Sequence, residues 1–414
     1  MIAFEKFRLN NGLRILVHPD PSTHLAAVNI LYDVGARDEN PDRTGFAHLF
    51  EHLMFEGSEN IRHYDRALEV AGGTNNAFTN NDITNYYLSL PAMNLETAFW
   101  LESDRMKALH FSEEKLAVQK NVVVEEFKQR YLNQPYADAW LQIRPLAYTS
   151  HPYQWPTIGK SIAHIEDATL DEVKSFFYKH YRPRNAIMVV AGAIEPDEVF
   201  RLTEKWFGDI PSGDPYVRNL PREPAQDQRR ELVLERDVPY DAIYMAWKMP
   251  PRTSAGYYRG DLITDLLSSG HSSRLYVTLV REKKLFSDIQ AYTTGEMDGG
   301  LLMISGKLKQ DVSIEQGEKA IWEVLNGLKL APVDAAALDR VKNRVESIFS
   351  FGQMDVVNRA MELALFEWMG DGAYLNQELK KYFDVTPEQI REEAESLLTE
   401  HTVSVIHYKS KQTS

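Results

Sequence analysis

The stretch His48-Leu49-Phe50-Glu51-His52 brings two imidazoles and a carboxylate together within five residues. Around it Phe46, Leu49, Phe50, Leu53 and Met54 recur at helical spacing, so Gly45 to Phe55 predicts an amphipathic helix. Residues i and i+4 of a helix share a face, which lets both imidazoles reach one ion. Glu51 falls at the edge of that face. Neutral imidazole suits zinc, and a third protein ligand would leave the fourth position open for water. Zinc brings the pKa of such a water to about 7, where a neighbouring carboxylate can take the proton and pass it to a leaving group. The bland alternative is a pair of ordinary surface histidines. The apolar run argues against it, because unpaired imidazoles are costly to bury.

A third ligand is needed. Glu125 and Glu126 close the run Asn121-Val122-Val123-Val124-Glu125-Glu126. Ser112 followed by Glu113 and Glu114 marks the start of a long helix running past Gln129, so both carboxylates are helical. Adjacent helical residues point about 100° apart, and only one of the two faces a metal. His63, His110, His151, His164, His180 and His271 show no ligand spacing and are read as structural. There are no cysteines, which excludes thiolate ligands and disulfides.

These residues need elements to position them. Phe4 to Asp20 reads as two strands around a turn at Asn10-Asn11-Gly12. Strands are expected at Leu25 to Val34, Asn76 to Thr79, Thr84 to Leu90 and Ala186 to Val190. Further helices are expected at Leu95 to Leu109 and Asp171 to His180. Pro211 to Gln228 is rich in Pro, Gly, Asp and Arg and reads as a linker. Beyond it the order restarts. Strands are expected at Glu231 to Glu235, Ala242 to Trp247 and Gly300 to Lys307, with helices at Gly256 to Leu267, Ser272 to Glu282 and Ile314 to Leu328. The expected domains are 1–210, which carries the metal motif, a linker at 211–228, and a similar domain at 229–414. The fold class is α+β, each domain a mostly antiparallel sheet with helices packed on one face.

Length supports two domains, since 414 residues exceed what one core usually serves. With 43% hydrophobic and 26% charged residues, the composition is that of a soluble globular chain. A net charge of -14 argues against nucleic acid as a partner. No apolar run is long enough to span a membrane. The first residues show no secretory pattern, so cytoplasm is favoured, with periplasm open to a chain whose signal has been removed.

At this point the sequence resembles the pitrilysin family of zinc peptidases, which includes insulin-degrading enzyme and mitochondrial processing peptidase. The inverted H-x-x-E-H motif is matched by His48, Glu51 and His52 within GFAHLFEHLMFEGS. The family's E-R-x-V-V-x-E-E pattern, whose last Glu binds zinc, is matched by Gln119 to Glu126. The resemblance therefore assigns the third ligand to Glu126, with Gln119 replacing the first Glu of the pattern. GGTNNAFTNNDITNYY resembles the segment that forms an edge strand beside the metal, which places Asn76, Ala77, Phe78 and Thr79 against a peptide backbone. SSGHSSRLYVTLVREKKLFSD resembles the segment carrying an Arg and, seven residues later, a Tyr that reach over the site. Arg281 matches the Arg, but Asp288 stands where the Tyr belongs, the nearest tyrosine is Tyr292, and the Gly before the Leu is missing. The resemblance implies a Zn2+ endopeptidase for unfolded peptides, enclosed with a second chain in a heterodimer or homodimer. This chain would carry the zinc and its partner the Arg/Tyr element. The other reading is a structural subunit of the same fold without catalysis.

Overall fold

Gly12 takes φ +97° and closes the turn expected at Asn10-Asn11-Gly12, with its N–H bonded to the Leu9 carbonyl oxygen. In the computed structural model, which describes residues 1–411, the two flanking strands pair antiparallel as β1 (Glu5–Arg8) and β2 (Arg14–Pro19). The first half continues with β3 (Leu25–Tyr32), α1 (Phe46–Leu53), α2 (Tyr64–Val70), β4 (Thr74–Thr79), β5 (Thr84–Pro91), α3 (Leu95–Lys107) and α4 (Glu113–Phe127). It ends with α5 (Ala139–Ala147), α6 (Ile162–Glu166), α7 (Leu170–His180), β6 (Ala186–Gly192) and α8 (Pro196–Phe207). The second half supplies β7 (Arg230–Arg236), β8 (Ala242–Lys248), α9 (Ala255–Ser268), β9 (Phe286–Thr293), β10 (Leu301–Leu308), α10 (Ile314–Leu330) and α11 (Ala335–Gly352). It closes with α12 (Val356–Trp368), α13 (Glu378–Phe383), α14 (Pro387–Leu397) and β11 (Ser404–Ser410).

Two compact units divide this chain, and each is assembled from three stretches. The first takes Met1–Phe127, Trp155–Leu220 and Ser350–Gln377; the second takes Lys128–Gln154, Pro221–Phe349 and the chain from Glu378 onward. Packing thus does not follow a single cut at 211–228. Each half lends the opposite unit one helix: α5 goes to the second unit and α12 to the first.

The first unit holds a six-stranded sheet in the order β1-β2-β6-β3-β5-β4. It is antiparallel except for the β2–β6 pair. Every residue of β6 is buried, as is every residue of β3 after Leu25. Consecutive strand residues point to opposite faces, so both faces of these strands are covered. Part of that cover is α12, which packs on β3 and β6 through a helix whose Ala360, Leu363 and Ala364 are fully buried. Asp355 caps α12 by accepting bonds from the Val357 and Asn358 N–H groups.

The second unit holds a five-stranded sheet in the order β7-β11-β8-β10-β9, antiparallel except for β7–β11. Its β8 sorts its residues by face. Ile243, Met245 and Trp247 join a core with α9, α10 and α14, while Ala242 and Ala246 join one with Ala139, Ile143 and Ala147 of α5. The strand β9 was not among the expected elements. It is an edge strand that buries only Phe286, Ile289 and Ala291 of its eight residues, at uneven intervals, which leaves little apolar pattern to read. The helix expected at Ser272 to Glu282 forms over its second half as a π-helical turn, Tyr276–Glu282.

His180, at the end of α7, is buried between the rings of Phe176 and Tyr216, and neither ring nitrogen has a hydrogen-bond partner. Burial pushes its pKa down to about 4. The unfolded chain then binds the proton that the folded chain refuses, so stability falls as pH drops from about 6.5 to about 4. We expect His180→Phe to remove up to about 3 kcal/mol of that acid loss, read as the difference between denaturant unfolding at pH 7 and pH 4.5. Leu363→Ala should cost about 2–5 kcal/mol. Its signature is lost hydrogen-exchange protection in β3 and β6, although residue 363 lies far along the chain; loss confined to 221–349 would contradict the exchange of helices.

Candidate metal centre

Gly45 starts α1 in the left-handed region, at φ +92°. A Cβ there would lie 2.7 Å from both the Ile158 carbonyl oxygen and the Ile165 Cδ1, so a side chain has neither the backbone conformation nor the space. From that start, α1 buries Phe46, Leu49, Phe50 and Leu53. The Phe50 ring stacks on Phe176 and Phe177 of α7 and on Tyr181. The helix also packs on α4 and on β4. Ser112 Oγ accepts the Lys115 N–H at the start of α4, as its sequence predicts.

This packing brings the predicted ligand residues together. His48 Nε2 lies 3.6 Å from Glu126 Oε2, and His52 Nε2 lies 3.5 Å from the same oxygen. One ligand atom from each of the three residues falls within 4.8 Å of the others, the only such group of three among the described residues. Tetrahedral zinc with bonds of about 2.0–2.1 Å sets its ligands about 3.4 Å apart, so the donor set fits that ion with little movement. The residue reading left Glu125 and Glu126 open. Here Glu126 is half-buried against the imidazoles, whereas Glu125 is exposed on the neighbouring face of α4.

Glu51 is half-buried on α1, and its charge raises the pKa of the buried phenols of Tyr86 and Tyr181 beyond what burial does. Burial pulls His52 down, but Glu126, Glu51 and Gln119 outweigh it and the net shift is upward. Gln119 thus stands beside His52, and its side-chain amide donates to Glu56.

The segment at residues 76–79 forms part of β4. This strand pairs with β5 on one side and has no strand partner on the other among the described residues. Phe78 is exposed, and the Ala77 N–H is bonded to the Asn76 side-chain oxygen. The remaining predicted residue, Arg281, belongs to the second unit. It sits exposed on the π-helical turn, 3.4 Å from Glu282. Three residues on, Lys284 takes φ +55° in the chain that leads into β9, a conformation a glycine would adopt without strain. Asp288, Gln290 and Tyr292 of β9 line one cavity of about 330 Å³. Tyr292 shares the face of Asp288 but lies four residues further, about 13 Å along the strand, so it does not substitute in place.

Of the histidines read as structural, His164 accepts the Thr44 N–H just before α1, and His151 lies 3.4 Å from Asp298 within the second unit. One residue bonded to the start of α1 was not read from the sequence. Glu39 accepts the N–H groups of Gly45 and Ala47, at 2.9 and 2.8 Å, where α1 begins. The bond spans six to eight residues of irregular chain, outside the short spacing by which a helix cap is recognised.

The sequence profile of Insulinase (peptidase family M16) matches residues 14–151, and that of the peptidase M16 inactive domain matches residues 167–345. Zinc protease PqqE of Helicobacter pylori is 31% identical over 344 residues, covering 82% of this chain and 77% of that protein. The chain belongs to the M16 peptidase family. A mitochondrial-processing peptidase beta subunit of Arabidopsis thaliana, named as probable, is 24% identical, over 82% of this chain and 65% of its own length. The crystal structure of a protease from Helicobacter pylori superposes with a TM-score of 0.93 at 28% identity, over 99% of this chain and 100% of that one. The periplasmic protease PqqL of Escherichia coli shares the fold at 18% identity and a TM-score of 0.80, with this chain spanning 47% of it.

Zinc binding should discriminate the two neighbouring carboxylates. In competition with a chromophoric chelator, Glu126→Gln is expected to weaken binding by at least about 100-fold, while Glu125→Gln stays within about fivefold, the scale of an exposed charge. Because the His52 proton is held to higher pH than usual and must leave before metal binds, wild-type affinity should fall on the acid side.

Proposed function

We propose that this chain is a zinc-dependent endopeptidase that hydrolyses internal bonds of unfolded peptides, with His48, His52 and Glu126 as ligands and Glu51 as the proton-transfer residue. The observation that carries this reading is the convergence of His48, His52 and Glu126 on one point, with Glu51 on the same short helix. The zinc protease name of the Helicobacter pylori relative supports it.

Zinc, when bound, polarises the scissile carbonyl and makes a water acidic enough to lose its proton near neutral pH. Glu51 takes one proton of the water and delivers it to the departing amine nitrogen as the C–N bond breaks, while the oxygen of that water joins the carbonyl carbon and completes the carboxyl product. The open edge of β4 gives an extended peptide a row of main-chain partners at Asn76, Ala77, Phe78 and Thr79. Main-chain pairing makes few demands on side chains and favours peptides that are not already folded. For the Ala77 N–H to serve, the Asn76 side chain must give up its bond to it.

Arg281 and the aspartate at 288 bear on whether the chain works alone. An Arg without its tyrosine leaves the carbonyl oxygen with one donor fewer in the transition state. We infer that a second chain of the same fold supplies the missing element and encloses the peptide. That a protein of about twice this length contains the same fold is consistent with paired units of this size. The second reading is a subunit without catalysis, favoured by Asp288 and by the inactive-domain match to residues 167–345.

The test uses a quenched, unstructured peptide with the zinc-loaded chain. Glu51→Gln should retain one zinc per chain and lose cleavage by about 100- to 10,000-fold. Zinc bound without any wild-type cleavage would move the search to a homologous second chain. Cleavage that survives Glu51→Gln would remove Glu51 from the chemistry.

A further inference from the structure

The hold of Glu39 on α1 goes beyond the ligand set. An α-helix begins with N–H groups that have no partner within the helix, and α1 begins in the protein interior. Both carboxylate oxygens of Glu39 are used there. Oε2 accepts the Gly45 N–H and Oε1 accepts the Ala47 N–H. Ala47 immediately precedes His48, so the anchored amide lies one residue from the first imidazole. The carboxylate also lies where the positive end of the helix dipole favours negative charge.

Its surroundings leave Glu39 little freedom. The side chain is 6% exposed, and the Trp155 indole leans on its carboxylate while donating to the Ala36 carbonyl oxygen. One residue earlier, Asp38 is held by Arg218 and Tyr216, which ties down the turn that carries Glu39. The Thr44 N–H next to the helix start is taken separately by His164. The entry to α1 is therefore pinned from the loop at 36–39 and from α6, while its apolar face rests on α7. Burial raises the Glu39 pKa to about 8, against the two N–H bonds that lower it.

We propose that Glu39 is a positioning residue for the metal centre: through the Gly45 and Ala47 amides it fixes the first turn of α1, and so sets the separation of His48 and His52 from Glu126 before metal arrives. It touches neither metal nor substrate. The inference rests on the zinc reading for its metal arm alone.

The experiment compares wild type with Glu39→Gln and Glu39→Asp. Gln keeps the shape but turns an NH2 group towards one of the two amides. Asp keeps the carboxyl group but is one carbon shorter. In the metal-free full chain, hydrogen exchange of the amides at 45–50 should speed up about tenfold or more in Glu39→Gln, the scale of a lost helix cap, with Glu39→Asp intermediate. Zinc affinity, read by chelator competition, should fall about 10- to 100-fold. His180→Phe, equally buried but without a bond to α1, serves as the control and should leave zinc affinity unchanged. Unchanged exchange at 45–50 in Glu39→Gln would overturn the proposal. So would a zinc affinity that falls equally in His180→Phe, since that would make the effect one of general stability. A wild-type chain that binds no zinc would sink the metal reading, and the exchange measurement would still decide whether Glu39 holds the helix.

Discussion

An eight-residue helix does not persist in water by itself; its nucleation cost exceeds what two turns of hydrogen bonds return. Yet α1 carries two of the three candidate ligands together with Glu51. Its order therefore comes from outside, and the surrounding structure can be understood as the means of supplying it. Phe46 and Phe50 give it an apolar seat on α7. The Gly45 conformation sets the angle at which the chain enters, and Glu39 satisfies amides that would otherwise be buried without partners. With these in place, two imidazoles one turn apart face a carboxylate on a different helix.

The sheet behind the site imposes a second requirement. A strand buried on both faces needs cover on both, and the helices of the first half do not provide all of it. The α12 helix, from beyond residue 350, packs on β3 and β6, while α5 from the first half serves the second sheet in the same way. This reciprocal loan makes the stability of each unit depend on both halves of the chain. It also gives a physical reason for one continuous polypeptide to retain two similar units when only one of them holds the candidate metal group among the described residues.

The second unit has a sheet of similar build and no metal-ligating group of three among the described residues, and most of the M16 inactive-domain match, residues 167–345, falls within it. Its sheet edge differs from the pattern that the sequence resembles. Lys284 occupies a left-handed position that favours glycine, and β9 presents Asp288 and Tyr292 on one face at positions too far apart to exchange roles.

The local chemistry was legible from sequence because it depends on short periodicities. The i, i+4 spacing of His48 and His52, the Ser112 cap of α4 and the Asn10–Gly12 turn all follow from rules that act within a few residues, and each element formed where those rules put it. The choice between Glu125 and Glu126 was settled from sequence only by resemblance; by itself the helical period says that one of them faces inward, not which. Helices α5 and α12 escaped notice. In α5, Pro145 interrupts the pattern, and nothing local in either helix tells which sheet it will cover. Glu39 escaped because its partners lie across irregular chain. What the sequence determined by itself was the spacing of the candidate residues and the elements bearing them, since helix and strand periods are written into consecutive residues. What only the tertiary structure decided was the pairing of α1 with α4, the exchange of α5 and α12, and the anchoring of α1 by Glu39. Those contacts join residues far apart in the chain, and their energies come from burial and hydrogen bonding that no local pattern encodes.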